Sequence, residues 1–129
     1  MGAVKTDTNA NERALESRYM ALDNADGVRR LLRDVHALHE RQYAGDYDAV
    51  VLLADLETAI ERAGLTERQR QALALVYGAD MTQEKAGEQL GISREAVKIY
   101  VESATKKIAE VYEAWAWMGE GYRRQTNEY

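Results

Sequence analysis

The chain has 129 residues, of which 46% are hydrophobic and 30% are charged, and its formal net charge is −5. This length suits one domain with an accessory layer, and the composition is too apolar for a mainly disordered protein. Because cysteine is absent, disulfides, thiolate metal sites and cysteine nucleophiles are excluded. No apolar run reaches the roughly 18 residues of a membrane helix, so we predict no membrane segment and a cytoplasmic location.

The N-terminal part is predicted to be helical, since proline is absent, no strand-like alternation occurs and glycines separate stretches with helical periodicity. Residues 1–10 are polar and aperiodic, which predicts a flexible leader. A short helix is expected over Glu12 to Leu22. A longer amphipathic helix is expected from Val28 to near Gly45, with an apolar stripe formed by Val28, Leu31, Leu32, Val35, Leu38 and Tyr43.

Asp46 is placed to cap the following helix, which should end at Gly64. One face of that helix is apolar and consists of Ala49, Leu52, Leu53, Leu56 and Ile60. We expect it to form an antiparallel hairpin with the preceding helix. Residues 11–64 are therefore predicted to be an N-terminal helical region.

Thr66 and Gln69 have the spacing of a capping box, in which each side chain satisfies a free backbone N–H of the other residue. A helix should run from Glu67 to about Tyr77 and end at Gly78. Its inner face is supplied by Leu73 and Val76, and Leu65 packs back on its first turn.

Two further capped helices are predicted to meet at one glycine. Thr82 caps a helix over Gln83 to Leu90, Gly91 turns the chain in the left-handed region, and Ser93 caps a helix that starts at Arg94. The inward positions are Ala86, Gly87, Leu90, Ile92, Val97 and Tyr100, with the closest crossing expected at Gly87. This is the spacing of a helix-turn-helix, whose core holds the second helix at an angle and leaves its outer face free for the major groove of DNA.

Residues 113–129 are predicted to be an extension of that second helix and a tail. The apolar stripe continues through Ile108, Val111, Tyr112, Trp115 and Met118, with Trp117 on another side, and Gly119 and Gly121 are expected to end it. Two interpretations are open. The stripe packs on the N-terminal hairpin and completes the core, or it is an exposed surface for a second copy or another protein.

The stretches LTERQRQALAL, starting at Leu65, and MTQEKAGEQLGISREAVK, starting at Met81, resemble region 4 of bacterial sigma-70 factors. The resemblance covers residues 65–112, LuxR-type response regulators share nearly the same pattern, and small sigma-like phage transcription regulators are similar. It implies an all-α helical bundle that contains a region-4-like helix-turn-helix DNA-binding domain, with an N-terminal helical hairpin and a long C-terminal helix. In that family the second helix reads the −35 promoter element and the unit contacts the RNA polymerase flap. The implied partners are therefore double-stranded DNA and RNA polymerase.

The chain departs from the family pattern at Gly87, where Ala is usual, and at Ser103, where sigma factors usually have Arg. Complete sigma factors also melt the −10 element with clustered aromatic and basic residues, and the first 64 residues offer only Tyr19, Tyr43 and Tyr47 as aromatics. We therefore predict a stand-alone DNA reader rather than an initiation factor.

Candidate DNA contacts lie at two helix starts and on one helix face. Thr82 and Gln83 stand at a helix N-terminus, which favours a phosphate. Arg94 and Lys98 can read guanine, Glu95 can accept from cytosine, and Ile99 can meet a thymine methyl. Weaker phosphate candidates are Ser93, Lys106, Lys107, Arg68 and Arg70. The alternative interpretation of these positions is a solvated charged face.

Charge leaves three functions open, because a net charge of −5 is unusual for a nucleic-acid binder and residues 65–112 contain equal numbers of basic and acidic residues. A local basic excess exists only over residues 93–109. The first function is a sequence-specific DNA-binding transcription regulator encoded by a phage or prophage. The second is a small terminase subunit that recognises phage DNA for packaging. The third is an adaptor of RNA polymerase that keeps the fold but binds only protein. A homo-oligomer is compatible with each.

Catalytic and metal-binding patterns give no positive signal. A phosphate loop, a Ser/His/Asp grouping and a paired-carboxylate cleft are all missing, so we expect no enzyme activity and no cofactor. His36 and His39 have no obvious third ligand, which favours histidines on a packed helix over a metal site. Asp46 and Asp48 lack the other oxygen ligands of a calcium loop, and helix capping accounts for them.

Overall fold

The computed structural model describes the backbone of residues 22–128 and the side chains of residues 22–118. The described residues form six helices and no strand, which confirms the predicted all-α fold. The predicted leader and the short helix over Glu12 to Leu22 lie outside the described residues, apart from Leu22 itself. Within the described range, no helix combines the length and the apolar character that a bilayer crossing requires.

Two helices, α1 (Ala25–Arg33) and α2 (Val35–Tyr43), stand where one was predicted. Asp34 separates them with φ −93° and ψ 4°, whereas a helical residue has ψ near about −42°. The prediction of one helix was wrong because apolar steps of three and four residues continue across a bend at a single polar residue. Both short helices contribute buried side chains to one cluster of the core.

Tyr43 was predicted to belong to the buried stripe, and this was wrong: its side chain is 96% exposed. It follows the buried Leu38 by five residues, which places it about 140° around the helix from that side chain. A step of five therefore leaves the stripe, although steps of three or four would have stayed on it.

Helix α3 (Tyr47–Arg62) begins as predicted at Asp46, whose Oδ1 accepts from the backbone N–H groups of Asp48 at 3.0 Å and Ala49 at 3.3 Å. The turn between α2 and α3 is also held by an ion pair, in which Arg41 Nη2 lies 2.8 Å from Asp46 Oδ2. With so short a turn, α2 and α3 pack against each other as the predicted hairpin. The helix ends before Gly64, which has a φ of +67°.

Helix α4 (Glu67–Leu73) starts with the predicted capping box. Gln69 N donates to Thr66 Oγ1 at 3.2 Å, and Thr66 N donates to Gln69 Oε1 at 3.0 Å. The last turn, Ala74–Gly78, widens into a π-helical turn and ends at the predicted glycine. Helix α5 (Gln83–Leu90) and helix α6 (Arg94–Glu128) complete the described chain.

The core consists of two clusters of buried side chains. The first joins α1, α2 and α3 to Leu65, Leu73 and the middle of α6, and the second lies among α4, α5 and the start of α6. Tyr77 in the π-helical turn is partly buried and packs against both clusters. Helix α6 contacts α1, α3, α4 and α5, so the N-terminal helices and the helix-turn-helix share one structural element.

One part of the C-terminal apolar stripe is packed in the core, and the other part is exposed. Ile108 is buried, and Val111, Tyr112 and Trp115 pack against the first cluster, as expected for a stripe that completes the core. The side chains of Met118 and Trp117 are 69% and 83% exposed. The stripe is therefore core up to Trp115 and open to solvent beyond it.

The expected break at Gly119 and Gly121 is wrong, because α6 continues through both glycines to Glu128. A glycine within a helix costs about 1 kcal/mol relative to alanine, which weakens a helix without ending it. Glycine ends a helix where it adopts a left-handed conformation, as it does at Gly91.

Candidate nucleic-acid interface

The turn between α5 and α6 follows the sequence prediction closely. Gly91 has φ 70° and ψ 33°, the left-handed conformation that glycine adopts without strain. The N–H of the next residue, Ile92, donates to the carbonyl of Gly87 at 2.9 Å. These features end α5 and redirect the chain within three residues.

Gly87 lies at the tightest point of the motif, as expected. A Cβ atom built on it would lie 2.6 Å from Ile92 O and 3.3 Å from the carbonyl carbon of Ser93. The crowding therefore comes from the backbone of the turn itself. Glycine at this position lets the turn approach α5 more closely than any other residue would.

A small apolar cluster fixes the angle between α5 and α6. Its buried members are Ala72, Ala86, Val97 and Val101, and Ile92 and Tyr100 pack against them. Leu90, also predicted to lie inward, is partly buried. Its backbone carbonyl accepts a hydrogen bond from Arg68 Nη1 at 3.2 Å, so a positive charge stands at the C-terminal end of α5. Such a charge opposes the negative end of the helix dipole and ties α4 to α5.

The first four turns of α6 present an exposed face. It is formed by the predicted contact residues together with Glu102, namely Arg94, Glu95, Lys98, Ile99, Glu102 and Lys106. Ile99 is 60% exposed, so its side chain is accessible to a bound molecule. Among the described residues, none of the three cations forms an ion pair. Their charges are therefore available to an anion.

The remaining predicted contacts sit at the two helix starts. The hydroxyl oxygens of Thr82 and Ser93 accept from the backbone N–H groups of Lys85 at 3.1 Å and of Ala96 at 3.0 Å. Each hydroxyl still has its proton to donate, so capping does not prevent a phosphate contact. Gln83 occupies the first turn of α5 and is partly buried.

Two of the weaker candidates are occupied within the fold. Lys107 Nζ donates to Gln69 Oε1 at 3.0 Å and lies 3.5 Å from the carbonyl of Gly64, on a different side of α6 from Arg94. Arg68 is the residue that binds the end of α5. Arg70 is exposed. Spacing along a helix predicts which face a residue occupies, but it does not reveal a partner on another helix.

Lys85 is a basic residue at this surface that the sequence reasoning did not single out. It lies in the first turn of α5 and is exposed, three residues after the cap Thr82. The sequence could have indicated Lys85 through its position three residues after the predicted cap. In helix-turn-helix complexes the first helix crosses the DNA backbone, so a cation in its first turn is close to phosphates.

Each of the two histidines has one side-chain contact. His36 Nε2 lies 3.1 Å from the carbonyl of Tyr77, and His39 Nδ1 lies 3.3 Å from Gln42 Oε1. Both side chains are exposed, although the helix that carries them is packed. The described residues contain no cluster of three metal-ligating side chains.

Two tyrosines link the N-terminal helices to this unit. Burial raises the pKa of Tyr77 above its ordinary value of 10.0, and the nearby Arg29 and Arg33 of α1 oppose that rise. Burial also raises the pKa of Tyr112 strongly, and the carboxylate of Asp55 on α3 adds to the rise. Helices α1 and α3 thus pack against Tyr77 and the later turns of α6, whereas Arg94, Lys98 and Ile99 at its start are exposed.

Comparison with known proteins agrees with this geometry. Residues 63–110 match the family model described as sigma-70, region 4, which confirms the resemblance seen in the sequence over nearly the same span. No curated protein and no solved structure matches the chain significantly.

Proposed function

We propose that this chain, whose residues 63–110 form a sigma-70 region 4 helix-turn-helix domain, is a sequence-specific DNA-binding transcription regulator. Helix α6 enters the major groove with its first three turns. The observation that carries the proposal is the exposed face of α6, where unpaired cations and the 60% exposed Ile99 stand directly after a rigid turn. A phage or prophage source stays a prediction from the resemblance alone.

Base reading is assigned to the first two turns of α6. Arg94 and Lys98 are one helical turn apart and can donate to guanine O6 and N7, and Glu95 between them can accept from a cytosine amino group. Ile99 can contact a thymine methyl. These groups distinguish base pairs, because each pair presents a different pattern in the major groove.

Phosphate contacts are assigned to the helix starts and to the rim of the face. Thr82 and Gln83 present the N-terminal end of α5, and Ser93 presents that of α6, where free N–H groups and the helix dipole favour an anion. Lys85 and Lys106 add positive charge on either side. These contacts set the register of the protein on DNA without reading sequence.

An adaptor function at RNA polymerase is a second candidate, and the charge distribution favours it. Residues 65–112 are electrically balanced, so the domain has little long-range attraction for DNA. An adaptor would bind the polymerase through protein contacts and show no salt-sensitive affinity for DNA.

Selection of binding sites from random duplexes tests the proposal. A regulator yields a consensus, and its affinity falls steeply with salt because each neutralised phosphate releases counterions. Recovery of no consensus, together with stable association with purified RNA polymerase, would favour the adaptor instead.

A further inference from the structure

Helix α3 carries an exposed apolar stripe that the DNA interface does not use. The stripe, called the α3 stripe below, consists of Tyr47, Val51, Ala54 and Thr58, which share one face of the helix at steps of three and four residues. Tyr47 is 74% exposed and Val51 is 40% exposed. The opposite face of α3 is buried in the core, so the stripe is held on a fixed helix.

Thr58 is partly buried, and its hydroxyl already has a partner. The hydroxyl of Thr58 donates to the carbonyl of Ala54 at 3.0 Å, so its methyl group extends the apolar surface. From Tyr47 to Thr58 the stripe is about 17 Å long, enough for about three turns of another helix packed alongside. Aromatic side chains at such positions often anchor protein interfaces.

Acidic side chains border the α3 stripe on both sides. Glu57 and Glu61 lie exposed along one edge. Asp48 and Asp55 lie along the other edge, where Asp55 is partly buried toward α6. A complementary surface would therefore have apolar residues in its centre and basic residues along its two edges.

The acidity of this hairpin accounts for the net charge of the whole chain. Residues 34–62 contain two basic residues, Arg41 and Arg62, and seven acidic residues, Asp34, Glu40, Asp46, Asp48, Asp55, Glu57 and Glu61. The resulting charge equals the −5 of the full chain. The two basic residues are engaged locally, since Arg41 pairs with Asp46 and Arg62 lies 6.0 Å from the centre of the Trp115 ring.

We propose that the α3 stripe is a docking site for a basic amphipathic helix of a partner protein. Leucine-like side chains of the partner would cover Tyr47 and Val51, and its lysines or arginines would face the acidic edges. DNA is disfavoured here because its phosphates would meet carboxylates. A symmetric pair of chains is also disfavoured, because each α3 stripe would bring its acidic edges against those of the other.

A designed peptide tests the docking site in the full chain. The probe is a fluorescein-labelled synthetic peptide of about 18 residues, with leucines on one face and lysines on the other, long enough to form a helix on binding. Its affinity is measured by fluorescence anisotropy at low and high salt. A peptide with glutamate in place of lysine is the control probe and should not bind.

Two pairs of matched variants separate docking from general attraction to an acidic protein. The charge reversal Glu57→Lys with Glu61→Lys should weaken peptide binding about tenfold, whereas Glu84→Lys with Glu88→Lys on α5 should leave it near the wild-type value. Tyr47→Ala with Val51→Ala should likewise weaken binding about tenfold, whereas Trp117→Ala with Met118→Ala should not.

Several outcomes would overturn the proposal. These are absence of peptide binding to the full chain, equal weakening by the test and control variants, and binding that appears only when residues 1–21 are removed, which would make that segment the occupant. A dimer that dissociates in the Val51→Glu variant would make a second copy the occupant. Duplex binding measured on the same samples reports on the helix-turn-helix separately, so the two proposals succeed or fail independently.

Discussion

Gly87 packs so closely against the turn of the helix-turn-helix that a Cβ atom on it would lie 2.6 Å from the carbonyl oxygen of Ile92. The same turn is held by a hydrogen bond of 2.9 Å from Ile92 N to Gly87 O. The position of Gly87 therefore sets where α6 begins relative to α5, and with it the angle between the two helices.

The substitution Gly87→Ala should destabilise the protein by about 1–3 kcal/mol, because the added methyl group must displace backbone atoms of the turn. Alanine favours a helix over glycine by about 1 kcal/mol, so the crowding has to exceed that gain. Region 4 domains usually have alanine at this position. A loss of stability in Gly87→Ala would therefore show that crowding at this turn outweighs the helix preference of alanine in this chain. Urea denaturation of Gly87→Ala and of the exposed neighbour Glu88→Ala checks it. Equal stability of Gly87→Ala and the wild type would show that the turn can shift without cost.

Gln69→Ala should lower the free energy of unfolding by about 1–2 kcal/mol. The buried Gln69 Oε1 accepts from Thr66 N and from Lys107 Nζ, each at 3.0 Å, so its removal undoes the capping box and the link to α6 together. Gln71→Ala is the control, since Gln71 bonds only to Glu67 at an exposed site among the described residues. Thermal unfolding of both variants measures the difference, and equal melting temperatures would contradict the structural role of Gln69.

Tyr112→Phe should keep the stability of the protein or raise it by about 1 kcal/mol. The hydroxyl of Tyr112 is buried without a hydrogen-bond partner among the described residues, and the ring itself packs edge-on against Trp115 with centroids 5.3 Å apart. Phenylalanine keeps the ring contact and removes the unsatisfied group. Urea denaturation is the measurement, with the 96% exposed Tyr43→Phe as the control. A clear loss of stability would indicate that the hydroxyl has a partner.

Stability should also fall in alkali, partly through Tyr112. Burial raises the pKa of this tyrosine in the folded protein above the ordinary value of 10.0 that it has when unfolded. Above pH 10 the unfolded chain therefore loses the phenolic proton first, and stability falls as the pH rises toward the folded pKa. Denaturation midpoints at pH 9 to 11 should decline less in Tyr112→Phe than in the wild type. Identical declines would assign the effect to other groups.

Local rules in the sequence predicted the helix-turn-helix well. Capping at Thr66, Thr82 and Ser93 and the left-handed turn at Gly91 each depend on a few neighbouring residues, and each was confirmed. The break at Asp34 was not predicted, because apolar steps of three and four residues continue across it. The continuation of α6 past Gly119 was not predicted, because a glycine weakens a helix without always ending it.

In the candidate DNA site, too, features set by neighbouring residues were predicted and a contact with a distant residue was not. Periodicity along α6 placed Arg94, Lys98 and Ile99 on one exposed face, since that requires only the helical repeat and a buried opposite side. Periodicity did not distinguish Lys107 from the neighbouring predicted contact Lys106. The side chain of Lys107 binds Gln69 on another helix. A partner that is distant in sequence leaves no trace in local spacing.

The central claim is tested most directly by Arg94→Ala combined with Lys98→Ala in a gel shift with the duplex recovered by selection. The two side chains are exposed and contribute nothing to the core, so the circular dichroism spectrum should match that of the wild type. We predict that specific binding is lost, because both guanine contacts and two positive charges are removed from the reading face. Retained binding of the selected duplex by this folded variant would contradict the assignment of α6 as the reader of DNA.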